Sequence, residues 1–275
     1  MINSYRCIFF LVGGIISKLF FRLLSVAIIS CIFILGCTPD HPQSTFNVVG
    51  PIAESQLTLF YWILAAAVFV FVVVVSILFW AVFRYRRKLD DKDPEQIHGN
   101  TKLEIAWTIL PAIVLVFVAI PTVITIFDNA NSPCTYEEGC LEVTVEAVQW
   151  FWNFTYKDPS NPDLEVTTSN EMHIPVDEVI NIRLTSRDVL HSFWIPNIAG
   201  KLDIVPNHVN TMWIKSNVEG EFYAQCAEFC GIAHALMSFR VYVDSRDDFN
   251  KWMELQASEA LIPAEPLALE GKKLF

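Results

Sequence analysis

Two long uncharged runs decide what this chain can fold into. Gln56–Phe83 and Ile105–Phe127 contain no Asp, Glu, Lys or Arg. Each exceeds the roughly 20 apolar residues that an α-helix needs to cross a bilayer. The Val-rich centre of the first run would favour strand in water. In lipid a lone segment must satisfy its own backbone, so helix wins. Trp62 and Trp80 lie near its ends, where an aromatic belt sits. Between the runs comes the basic cluster Arg84, Arg86, Arg87 and Lys88. The positive-inside rule keeps that loop cytoplasmic and puts both flanks outside. The expected plan is a transmembrane hairpin, with helices over residues 56–83 and 104–127 and a cytoplasmic loop over 84–103.

The N-terminus has scattered basic residues (Arg6, Lys18, Arg22), the apolar run Leu23–Leu35, then Gly36 and Cys37. This order describes a secretory signal over residues 1–36. Ile34-Leu-Gly-Cys37 also resembles a bacterial lipobox, which implies an acylated Cys37 as the new N-terminus. Pro39 and Pro42 suit an extended periplasmic tether over 37–55. An uncleaved membrane helix is the alternative reading.

After the second span the pattern changes. The linker 128–140 holds Cys134 and Cys140 around a Gly-containing turn, which suits a local disulfide outside the membrane. From Leu141 the apolar positions alternate, and short strand-like runs follow at Val179–Leu184, Val209–Ile214, Glu221–Gln225 and Ser238–Val243. Turn residues separate them, so residues 141–245 read as an all-β sandwich. A helix with a capping Ser245 opens the tail 246–275. Charge is divided along with structure. Residues 1–127 carry nine basic against seven acidic side chains, and residues 128–275 carry ten against twenty-three. An acidic exterior part repels nucleic acid and suits steering of a basic protein partner. No Cys-x-x-Cys-His occurs, so the chain attaches no haem covalently by that motif.

The chemistry concentrates in Cys226-Ala-Glu-Phe-Cys230-Gly-Ile-Ala-His234-Ala-Leu-Met237. Two thiols, an imidazole and a thioether favour copper over zinc, because a thioether is a poor zinc ligand. His191, in Asp188-Val-Leu-His191-Ser-Phe, offers a second imidazole. A disulfide between Cys226 and Cys230 beside a packed His is the bland alternative.

These two segments resemble subunit II of cytochrome c oxidase, and the likeness covers roughly residues 56–255. It implies a cupredoxin-like Greek key sandwich that holds a dinuclear copper A centre. The ligands it implies are His191, Cys226, Cys230, His234, Met237 and the backbone carbonyl of Glu228, with a magnesium ion shared with subunit I through Glu228. Gln149-Trp150-Phe-Trp152 resembles the family stretch whose first Trp is where electrons enter, which points to Trp150. Trp152 then fills the core. Glu104, at the start of the second span, matches a Glu at the mouth of a proton channel, although a carboxylate there also suits the helix dipole. Asn207 stands where the family has Gly, at a turn that Asn tolerates. His173 and His208 read as structural or surface residues. The implied role is to pass electrons from a cytochrome c-type donor to haem in subunit I, within a proton-translocating oxidase of the bacterial cell membrane. The implied partners are the donor, subunit I and the other oxidase subunits, and membrane lipid. A metal-free quinol oxidase subunit lacks these Cys and His residues. A membrane-anchored copper carrier needs neither Trp150 nor Glu104.

Overall fold

The computed structural model describes residues 24, 25, 28, 41–87, 96, 99–259, 262 and 264–274. The lipobox-like Cys37, the signal cut before it and most of the loop between the spans lie outside the described residues. The chain divides into two units after His41, and the description below concerns the unit Pro42–Phe275.

The first span is helix α1, Pro51–Arg84. It begins before Gln56 because Pro51 occupies a first-turn position, where its missing N–H costs nothing. The second is α2, Thr101–Ala130, capped by Asn100, whose side chain accepts from the backbone N–H groups of Lys102 and Leu103. Pro111 and Pro121 lie inside α2. The two helices pair at their outer ends, where Ser55 and Asn129 are hydrogen-bonded at 3.1 Å. Both are long and apolar enough to cross a membrane. Phe69, Phe71, Phe83, Leu115 and Phe117 are exposed along them. In water such a surface would drive association, so lipid or partner helices must cover it.

Beyond the hairpin, ten strands form two five-stranded sheets. The first contains β1 (Leu141–Val148), β2 (Phe151–Lys157), β3 (Glu165–Ser169), β5 (Ile180–Ser186) and β8 (Asn210–Ile214), in the order β3-β2-β1-β5-β8. The second contains β4 (Glu171–Pro175), β6 (His191–Trp194), β7 (Leu202–Ile204), β9 (Gly220–Cys226) and β10 (Ser238–Asp244), in the order β4-β10-β9-β6-β7. Antiparallel pairs are interrupted by two parallel ones, β1 with β5 and β4 with β10. The alternation in the sequence becomes the core directly. Val143, Val145 and Ala147 of β1 face inward with Trp152, Phe154 and Tyr156 of β2, and Phe193, Phe239 and Val241 close from the other sheet. Each buried Val or Phe among them contributes about 1.5–3 kcal/mol on burial.

Three further pieces brace this sandwich. Residues 42–50 run along it instead of hanging free: Asn197 donates to the carbonyls of Ser44 and Asn47, and Asn217 N–H donates to Val49. Cys134 and Cys140 are joined by a disulfide, with Cα atoms 6.0 Å apart. Helix α3, Arg246–Ala257, is capped by Ser245 and buries Phe249 and Met253. Its Arg246 pairs with the buried Asp158 at 2.9 Å and with Glu178. A short helix α4 follows at Pro266–Lys272. Asn207 adopts φ 62°, the left-handed conformation expected of it. His208 is exposed, whereas His173 is packed between the rings of Tyr242 and Trp252.

Candidate metal centre

The centre is assembled where β6 begins and β9 ends. The register pairs Phe193 with Cys226, which sets His191 on the same inward face one step away. The chain then leaves β9 and returns as β10. The loop is closed at its base by the Cys226 N–H, which donates to the Met237 carbonyl at 2.9 Å. A left-handed Gly231 (φ 118°) turns the loop, and a short 3-10 helix, His234–Leu236, brings it back. This path folds six potential donors, scattered between residues 191 and 237, onto one point.

The geometry there is specific. Cys226 Sγ and Cys230 Sγ lie 3.8 Å apart as free thiols, too far for the disulfide that was the bland alternative. Each sulfur faces one imidazole: His191 Nδ1 is 3.8 Å from Cys226, and His234 Nδ1 is 3.5 Å from Cys230. Met237 Sδ lies 3.6 Å from Cys230 Sγ, and the Glu228 carbonyl lies 3.2 Å from Cys226 Sγ. The candidate donor atoms of His191, Cys226 and Cys230 all fall within 4.8 Å of one another. Cys226, Cys230, His191 and Met237 are buried and His234 is half-buried. Soft sulfur and imidazole nitrogen, gathered in a largely buried site and not cross-linked, fit copper by donor chemistry.

Electrostatics separates the two thiols. Burial resists ionisation of Cys226, but the hydrogen bond with His191 and the nearby Glu228 and Ser192 backbone outweigh it and lower its pKa to about 6. For Cys230, burial and the neighbouring Cys226 charge act together and push the thiol up to about 12. Burial also resists charge on His191, yet Cys226 and Asp188 raise its pKa above the usual imidazole range.

Around this set lies a layer of residues whose roles the sequence did not disclose. Asp188 accepts from Gln149 N–H and Val189 N–H, each at 2.7 Å, and lies 2.8 Å from His191 Nε2. Although burial opposes it, these hydrogen bonds hold the Asp188 carboxyl below the usual carboxylate range. Gln149 Nε2 and Trp150 Nε1 both donate to the Cys230 carbonyl, at 2.8 and 3.1 Å. The available signal was spacing alone, an Asp three residues before His191 and a Gln next to Trp150. The structure places Trp150 half-buried over the loop and Trp152 fully buried. Phe229, Ile232 and Leu236 project from the same loop into solvent. Glu104 is remote from all of this, exposed in the first turn of α2.

Comparison with known proteins now decides the family. Residues 160–243 match the model for the periplasmic domain of cytochrome c oxidase subunit II, and residues 43–124 match the model for its transmembrane domain. The chain belongs to the cytochrome c oxidase subunit II family. It is 36% identical to cytochrome c oxidase subunit 2 of Alkalihalophilus pseudofirmus, over 89% of this chain and 71% of that one. It is also 36% identical to the Bacillus sp. (strain PS3) protein of that name, over 70% of this chain and 56% of the relative. The crystal structure of the periplasmic domain of subunit II of cytochrome oxidase (CoxB) of Bradyrhizobium japonicum is 30% identical. It covers 43% of this chain and 94% of that domain, with a TM-score of 0.40. As a cytochrome c oxidase subunit II, the chain is a membrane protein with its β domain outside, and it works as part of a haem-copper oxidase.

Proposed function

We propose that this subunit takes electrons from a cytochrome c-type donor and delivers them to haem in subunit I, through a dinuclear copper A centre. His191, Cys226, Cys230, His234, Met237 and the Glu228 carbonyl would hold it. The observation that supports this most is the pairing of two free, buried thiols with one imidazole each at a single point. Copper bound there would supply a one-electron store, with the charge shared between two metals.

The chain's own residues supply the rest. The sandwich fixes the donors on two strand ends and a closed loop, so they need not reorganise with charge. Trp150 carries the surface inward, since its indole reaches the backbone of Cys230. The exposed Phe229, Ile232 and Leu236 give a donor an apolar footing, and the acidic exterior part steers a basic donor toward it. Magnesium is a different matter. It usually keeps several waters and takes one or two carboxylates, so Glu228 would be this chain's contribution to an ion shared with subunit I. Glu104 remains the candidate for the cytoplasmic mouth of a proton path, because ionisable groups at membrane boundaries often mark such paths.

Metal analysis and electron paramagnetic resonance of the purified full-length chain test the centre. Two coppers per chain with a mixed-valence signal are expected, and Cys226→Ser should abolish that signal. One copper, or zinc alone, overturns the dinuclear reading. In the assembled oxidase, Glu104→Gln should slow oxygen turnover severalfold and leave the copper spectrum unchanged. Normal turnover across a pH range would leave Glu104 as a helix-start charge.

A further inference from the structure

The carboxylate of Asp188 joins two parts of the site. One oxygen, Oδ2, accepts the N–H of Gln149 at 2.7 Å. The other, Oδ1, accepts the N–H of Val189 at 2.7 Å and lies 2.8 Å from His191 Nε2. A carboxylate only accepts, so His191 must carry a proton on Nε2. The ring is thereby turned so that Nδ1 faces Cys226 Sγ. From Gln149 the connection continues: its side chain and the Trp150 indole both donate to the Cys230 carbonyl. His191 is fully buried, so its ring has no solvent partner to replace Asp188.

We propose that Asp188 is the positioning residue of this centre, with one carboxylate fixing the His191 ring and the Gln149–Trp150 turn relative to each other. The inference rests on the copper reading for its consequence, but the positioning itself belongs to the metal-free chain. Groups that orient a metal-binding imidazole typically change metal affinity about 10–100-fold when removed. Here the same removal also frees the turn that carries Trp150. The competing role for an acid at this edge is steering of a basic donor. Asp188 keeps its charge while both of its oxygens are engaged within the chain, so steering and positioning are told apart by the metal-free readouts.

The test compares wild type, Asp188→Ala and Asp188→Asn as full-length chains in detergent. In the metal-free state, amide hydrogen exchange at Gln149 should rise in both variants, and 15N spectra of His191 should lose the pure Nε2-protonated form in Asp188→Ala. These readouts stand even if the bound metal proves not to be copper. In the copper-loaded state, retention against a chelator should fall about 10–100-fold. In the assembled oxidase the electron-transfer rate at saturating donor should drop. Unchanged exchange at Gln149 with wild-type copper retention overturns the proposal. So does a raised KM with a weaker salt dependence and nothing else, which is the signature of steering. If Asp188→Ala does not fold, Asp188→Asn carries the same comparisons, since one amide oxygen cannot accept on both sides.

Discussion

Trp150 is tied to Cys230: the indole Nε1–H donates to the Cys230 carbonyl at 3.1 Å. Two residues along the chain, Trp152 shows no exposure and packs its ring edge-on against Phe193 and tilted against Phe239. Two tryptophans at one strand start thus do different work, one reaching the loop and the other filling the core.

Replacing them should separate electron transfer from stability. Trp150→Phe keeps a ring but removes the donor, at a cost of about 1 kcal/mol. Stopped-flow transfer from reduced cytochrome c should fall by at least about tenfold while the copper spectrum stays near wild type. Trp152→Ala should cost about 3–5 kcal/mol, seen as a large drop in melting temperature. Normal transfer in Trp150→Phe would place the point where electrons enter at another residue.

Much of this was legible in residue types. The uncharged runs announced two helices because lipid leaves an unpaired backbone no other outlet. The alternation over Leu141–Ala147 announced an inward face, and β1 buries Leu141, Val143, Val145 and Ala147. Cys226, Cys230, His234 and Met237 were readable because their spacing is local. The connections made by Asp188 and Gln149 were not, because they depend on β1–β2 and β5–β6 turns meeting across the sheets. Where helix α1 starts was also hidden, since Pro51 could equally have ended an extended tether. The lodging of residues 42–50 along the sandwich could not be read either, because it depends on Asn197 and Asn217 far along the chain.

Gly231 is where the loop can least accept a side chain. Its φ is 118°, and an added Cβ would lie 3.0 Å from Gln149 Nε2 and 3.2 Å from Trp150 Cζ2. Gly231→Ala should therefore cost about 1–3 kcal/mol in backbone strain and push Trp150 off the loop. We expect lower copper content and slower electron transfer together, measured on the same preparation. Gly220→Ala is the control, because its φ is 145° but the nearest atom is Phe222 at 3.9 Å. It should destabilise without changing copper content. Equal copper loss in both variants would mean that Gly231 acts only through general stability.

The two thiols should also be distinguishable by the protons they hold. With Cys226 lowered to about 6 and Cys230 raised to about 12, the metal-free site at pH 8 contains one thiolate and one thiol. A thiol must lose its proton to bind a metal. Anaerobic addition of Cu(I) at pH 8 should then release at least one proton per chain, that of Cys230, by calorimetry in buffers of different ionisation enthalpy. Cys230→Ser should lower the count by one. At pH 5, where Cys226 is protonated as well, the count should rise. The same arrangement sets a sign for stability. Cys230 ionises in the unfolded chain near the ordinary 9.0 but resists to about 12 when folded. Between those values the folded state binds more protons, so its stability falls as pH rises. The melting temperature of the metal-free chain should decline above pH 9, and Cys230→Ser should remove its share of that decline. Proton release that is absent at pH 8 would show both thiols already ionised, and the asymmetry between Cys226 and Cys230 would be lost.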